Sequence, residues 1–289
     1  MRVAVLLLLA SCDAVFGVTP PSTPDAPAPA DAVDGPPGNG ILNPPPGMPC
    51  GPTPTFESWA YELALFPSMV PVSAVAFYRT ASEVRAVATS VTRDALYDVG
   101  PDTVPHPLPI APPPNTTIYA ASVDPAGEVI WFLQSGGGEG LYYATRASNW
   151  TKRIADLGFV DAEIVEPGAV GYFDGKARMV VTVRPFAGEP TLHEVESTDG
   201  LTWTPLATIQ LGERTFHGHL SPDGCYLLFA KSTSFTEIHV STRDETGAFS
   251  TSTRVVPTTL STEVTRPALA PDESTLWFGC SGDLCRGTP

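Results

Sequence analysis

Glu166, His217 and Arg266 stand at comparable places in the chain, six to eight residues ahead of turns at Asp174, Asp223 and Asp272. Together they offer a hydrogen-bond acceptor, a titratable imidazole and a bidentate donor, a set suited to a polar ligand such as a sugar, a peptide end or a carboxylate. His219 follows His217 by two residues and shares its face in a regular strand. Ahead of a further turn at Asp124, the same interval falls on Thr116 and Thr117, with Asn115 beside them. The alternative is a wet polar lining without a ligand, in which Glu166 and Arg266 satisfy each other.

The cysteines set a second chemistry. Cys280 and Cys285 flank Ser-Gly-Asp-Leu, a tight reversal that brings two Cβ atoms within bridging range. Cys50 and Cys225 pair only by elimination, and a buried free thiol at Cys225 is the other reading. No Cys/His spacing matches a zinc site, so no metal and no cofactor is expected. With Asp+Glu 31 against Lys+Arg 16, the net charge of -15 disfavours nucleic acid as a partner.

The elements that must hold these residues repeat. Leu96-Tyr-Asp-Val, Leu141-Tyr-Tyr-Ala, Leu192-His-Glu-Val, Ile238-His-Val-Ser and Leu284-Cys-Arg-Gly succeed one another at intervals of 45, 51, 46 and 46 residues. The Asp turns run in phase, and each leads into an apolar strand such as Val129-Ile-Trp-Phe or Tyr226-Leu-Leu-Phe. Periods of about 40 to 50 residues with four short strands are the mark of propeller blades. The expected fold is therefore all-β, a β-propeller of five four-stranded blades over residues 56–289. The fifth unit reaches Pro289 without an outer strand, and residues 56 to 64, around Ser58-Trp59-Ala-Tyr-Glu-Leu, supply one that closes the ring. A short helix over the same residues is the competing reading. Ahead of the ring, Asp13 to Pro54 carries 13 prolines and no Lys or Arg, the composition of a disordered or polyproline-like tether. Closure by the N-terminal strand implies that a pull on the tether reaches the last blade first.

Three resemblances add to this reading. Arg2, the apolar run Val3 to Leu9 and Leu9-Ala10-Ser11-Cys12 resemble the leader and lipobox of bacterial lipoproteins. That likeness implies a signal peptide over residues 1–11, lipidation of Cys12, a linker over 12–55, and a protein exported and anchored to a membrane of the cell envelope. Read without it, Cys12 is a residue near an ordinary signal cleavage site. Leu220-Ser-Pro-Asp-Gly-Cys-Tyr-Leu-Leu-Phe-Ala followed by Glu237-Ile-His-Val-Ser resembles the WD40-like repeat of TolB-type propellers, which implies fold more than activity.

The third unit, Glu166-Pro-Gly-Ala-Val-Gly-Tyr-Phe-Asp-Gly-Lys with Glu196-Ser-Thr-Asp-Gly-Leu-Thr-Trp203, is similar to five-bladed furanosidases and to the sialidase Asp-box. In those glycosidases a Glu before the inner-strand proline is the general acid, and Glu166 matches it. The inner strand Val72-Ser-Ala-Val-Ala-Phe-Tyr-Arg, however, has no carboxylate to act as base, and Asp199 of the box belongs to a peripheral hairpin. The expected function is thus a non-catalytic binding module for a glycan, a peptide or an envelope protein. A glycoside hydrolase, or its inactive descendant with Glu166 as acid, is the alternative.

Overall fold

The structure, a computed structural model, describes residues 42, 50–51, 54–63, 66 and 72–289, apart from 111, 137–139, 160–161, 186, 213, 257–262 and 282. Cys12, the expected signal peptide and most of the Pro-rich stretch lie outside the described residues.

Five antiparallel sheets form a ring. Blade 1 is β2 (Val72–Arg79), β3 (Val84–Ser90), β4 (Leu96–Val99) and β5 (Pro105–Pro107). Blade 2 is β6 (Thr117–Val123), β7 (Val129–Ser135), β8 (Gly140–Thr145) and β9 (Lys152–Ile154). In blade 3 the inner strand is broken into β10 (Ala162–Glu166) and β11 (Val170–Phe173), followed by β12 (Lys176–Pro185), β13 (Thr191–Ser197) and β14 (Thr204–Thr208). Blade 4 is β15 (Thr215–Leu220), β16 (Tyr226–Ser232), β17 (Thr236–Thr242) and β18 (Thr253–Arg254). Blade 5 is β19 (Val264–Leu269), β20 (Leu276–Cys280) and β21 (Asp283–Thr288), with β1 (Ala60–Leu63) as its outer strand. β1 pairs antiparallel with β21 from Ala60↔Thr288 to Leu63↔Cys285, so the expected ring closure is present and the helical alternative is not.

Packing between blades explains the repeat. Among the described residues, the buried hydrophobic side chains fall into five clusters, one for each blade-to-blade interface. Second strands carry runs of buried apolar residues, such as 129–132 and 226–230, with side chains of both faces packed against neighbouring blades. Ile130 and Phe132 of β7 pack toward blade 1, while Val129 and Trp131 pack toward blade 3. The residue that leads each third strand has one job throughout. Leu96, Leu141, Leu192, Ile238 and Leu284 each fill the interface with the next blade.

Two disulfides hold the ring. Cys280–Cys285 clips the β20–β21 turn, and Cys50–Cys225 joins the segment ahead of β1 to the first turn of blade 4. Leu42, inside the stretch expected to be linker, is buried in the interface of blades 2 and 3, and its N–H donates to the Asp199 carbonyl at 3.1 Å. The N-terminal segment is therefore fastened to blades 3 and 4 before it reaches blade 5. This corrects the expected order of loading, in which the last blade came first.

An arginine at the end of the third strand clasps neighbouring blades in two places. Arg146 donates to the Gly127 carbonyl of its own blade at 3.1 Å and to the Tyr78 hydroxyl of blade 1 at 3.4 Å. Arg243 donates in the same way to the Gly224 carbonyl at 2.5 Å and reaches Glu194 of blade 3.

Candidate functional site

The inner strands of blades 2, 4 and 5 share a β-bulge, a register shift between Tyr119 and Ser122, between Phe216 and His219, and between Thr265 and Ala268. At its centre Ala120, His217 and Arg266 take left-handed backbone, with φ of 45°, 53° and 48°. Non-glycine residues seldom adopt that region, and a bulge re-aims the side chain it carries. Here it turns His217 and Arg266 into the axis. His219 also lines the axial cavity, although the strand between it and His217 is not regular. In blade 3 the role of the bulge falls to the break Pro167-Gly168-Ala169, which ends β10 at Glu166. A Cβ on Gly168 would lie 2.1 Å from the Val180 carbonyl oxygen and 2.3 Å from that of Gly218, so glycine is what lets blades 3 and 4 approach there.

That approach builds the site. His217 Nε2 lies 3.1 Å from Glu166 Oε2, and Arg266 Nη2 lies 3.9 Å from Glu166 Oε1. The His217 N–H donates to the Thr182 hydroxyl at 2.8 Å, and Thr182 pairs with Glu166 across the sheet. The cavity over these groups has a volume of about 50 Å³ and is floored by small residues, including Ala74, Ala120, Ala169 and Gly218. Glu166, His217, His219 and Arg266 all line this cavity. Asn115 does not join them, being exposed in the turn ahead of β6.

Burial acts to raise the Glu166 carboxyl, but His217 and the guanidinium groups of Arg266 and Arg184 outweigh it and hold it at about 2. Burial pushes His217 down by more than Glu166 lifts it. At neutral pH the pair is therefore a carboxylate and a neutral imidazole. Because the carboxylate can only accept, the proton is on Nε2, and Nδ1 is a bare acceptor, buried and without a partner among the described residues. Burial alone takes His219 down to about 4.

A buried neutral His219 makes stability depend on pH. Its unfolded form binds a proton near 6.5 and its folded form near 4, so its contribution is complete above about 6.5 and is lost as pH falls toward 4. Between pH 7.5 and 5 the expected loss from this residue is about 2 kcal/mol. Denaturant unfolding at the two pH values checks this. His219→Asn should flatten the profile, and an unchanged slope in that variant would count against it. Glu166 acts in a lower window, its contribution being lost as pH falls from about 4.5 toward about 2.

Glycoside hydrolysis uses two carboxyl groups, one of them a general acid that holds its proton at the working pH. Among the described residues lining the cavity there is no second carboxylate. No group of three or more His, Cys, Asp or Glu among the described residues is placed to hold a metal ion. A larger groove of about 710 Å³, which the sequence did not foreshadow, lies off the axis between blades 3 and 4. Four of its charged side chains pair with one another: Arg178 meets Glu196 at 2.9 Å, and Arg243 meets Glu194. At Asp199 the side chain accepts from the N–H groups of Leu201 and Thr202, both at 2.8 Å, and so shapes a peripheral turn away from the axis.

No protein-family model matches the sequence, and no curated protein matches it. Solved structures do resemble the fold. TolB from Acinetobacter baumannii has a TM-score of 0.51 at 15% identity, with 76% of this chain and 55% of that chain covered, so this chain spans about half the length of that TolB. An alpha-L-arabinofuranosidase from Lactobacillus brevis has a TM-score of 0.51 at 12% identity over 76% of this chain and 91% of that one. A gluconolactonase from Xanthomonas campestris has 0.51 at 11% identity over 86% and 96%. At such identities the likeness is one of fold alone, and what this chain shares with these proteins is the β-propeller, here of five blades.

Proposed function

We propose that this chain is an exported cell-envelope lipoprotein, anchored through Cys12, whose propeller binds a ligand or partner protein at the axial mouth without catalysing a reaction. The observation that carries the binding reading is the state of Glu166. It is ionised, engaged by His217 at 3.1 Å, and faces no second carboxylate among the described residues that line the cavity. Polar groups converge there on a small hollow, as they do in binding sites, and a single carboxylate among the described lining residues favours binding over a hydrolysis that uses two. The glycosidase reading draws on the fold shared with the arabinofuranosidase and on the place of Glu166 before Pro167.

The test is a binding screen of the purified full-length chain against glycans and envelope-derived peptides, run beside aryl-furanoside hydrolysis. Binding that Glu166→Gln weakens, without turnover, is the expected result. Turnover that Glu166→Gln abolishes would instead establish the hydrolase. The anchor is checked by labelled fatty acid, which Cys12→Ser should leave unincorporated.

A further inference from the structure

Arg266 and Arg184 make no hydrogen bond to any described residue, although both stand close enough to bear on Glu166 and His217 by charge. Arg266 is part-buried, its side chain 29% exposed, and its distance of 3.9 Å from Glu166 is beyond hydrogen-bond reach. Glu166 cannot close that gap cheaply, because its other oxygen is held by His217. Arg266 lines the cavity beside Glu166 and the two neutral imidazoles, whereas Arg184 is exposed and acts on Glu166 from outside the lining.

Resting on the reading of this mouth as a binding site, we propose that its ligand is a small carboxylate, seated bidentate on Arg266 with its short body against the alanine-lined floor. A guanidinium presents parallel N–H groups that match the two oxygens of a carboxylate, and such charge-assisted pairs are stronger than neutral hydrogen bonds. The floor limits the size of the group that the carboxylate carries. At about 50 Å³ the hollow has room for only a few water-sized groups, so the part that enters is small. Ala74, Ala120 and Ala169 suit a methyl, and the uncharged His219 can exchange one hydrogen bond with a hydroxyl or amide next to the carboxylate. A cation is disfavoured by the Arg266 guanidinium, and a neutral sugar offers the guanidinium N–H groups no charged acceptor. The same carboxylate chemistry is offered by a short free acid and by the C-terminus of a peptide ending in a small residue.

Calorimetric titration of the full-length chain separates these outcomes, with acetate, propionate, lactate and acetyl-alanyl-alanine as probes and the corresponding amides as controls. The acids should bind and the amides should be weaker by tenfold or more, the worth of a charged hydrogen-bonded pair. Arg266→Gln should cost at least about tenfold and Arg266→Lys less, with the melting temperature of each recorded to show that the fold is intact. A preference for acetyl-alanyl-alanine over propionate assigns the chain end as the source, and equal or reverse affinity assigns the free acid. Amides that bind as well as acids, or acid binding untouched in a folded Arg266→Gln, would overturn the proposal. Binding of a neutral glycan that depends on Glu166 would overturn the carboxylate while leaving the binding module standing. No binding of any probe or glycan up to ~10 mM would remove both.

Discussion

Arg243→Ala is expected to lower the unfolding free energy by about 3 to 5 kcal/mol, the cost of leaving one partner of a buried ion pair alone. The Arg243 side chain is 2% exposed and that of Glu194 is 11% exposed. Besides Glu194, Arg243 serves the carbonyls of Gly224 and Gly247, at 2.5 and 2.6 Å, and lies over the rings of Phe173 and Phe249. Truncation would strand a carboxylate and two carbonyls in the interface of blades 3 and 4. Arg243→Met with Glu194→Leu should recover most of the loss, since replacing both charges removes the desolvation that the pair offsets. The corresponding change at Arg146, whose side chain is 44% exposed, should cost no more than about 1 kcal/mol. Urea unfolding of the four proteins checks the order, and an Arg243→Ala chain as stable as Arg146→Ala would contradict it.

That contrast bears on what the sequence could reveal. The leading Leu or Ile of each third strand is legible because burial in one kind of interface leaves the same signature in every blade. The two arginines leave no such trace, although 97 residues, about two blade periods, separate them, because an arginine at a strand end is unremarkable until its partner appears. Glu194 comes from another blade, 49 residues away, and spacing alone does not pair it.

The candidate site shows the same limit from the other side. Glu166, His217, His219 and Arg266 are marked in the sequence by their distance from Asp turns, and they meet at the axis. In blade 2 the turn aspartate is the wrong landmark. Asp124 donates its N–H to Val129, as Ser221 does to Tyr226 and Ala270 to Thr275, so Asp124 corresponds to the residue before the turn proline and not to Asp223 or Asp272. Counted from Asp124-Pro125, Ser221-Pro222 and Ala270-Pro271, Ala120 falls opposite His217 and Arg266, and Asn115 falls outside. Two aspartates that do related work, one accepting from Val129 N–H and the other from Cys225 N–H, are displaced by two residues along the turn. Side-chain identity misleads where backbone hydrogen bonding does not.

The second large effect concerns Cys50–Cys225. In the chain-entropy picture a cross-link over 175 residues confers about 5 kcal/mol, and replacing both cysteines with serine should cost about 2 to 5 kcal/mol. The more discriminating measurement is mechanical. When the chain is pulled from its two ends, the bond keeps everything between Cys50 and Cys225 from extending, whichever blade opens first. Reduction, or the double serine variant, should therefore add about 600 Å of contour length, at roughly 3.4 Å for each released residue. With the bond intact, force on the N-terminal side is carried to the first turn of blade 4, and β1 is spared. Without it, the same force bears on four residues of β1 paired with β21, and the closing strand should peel away before the other blades open. An extension that is the same with and without reductant would mean that the bond is not formed in the native chain. The short closure at β1 would then have to withstand the load with only the Leu42 contact ahead of it.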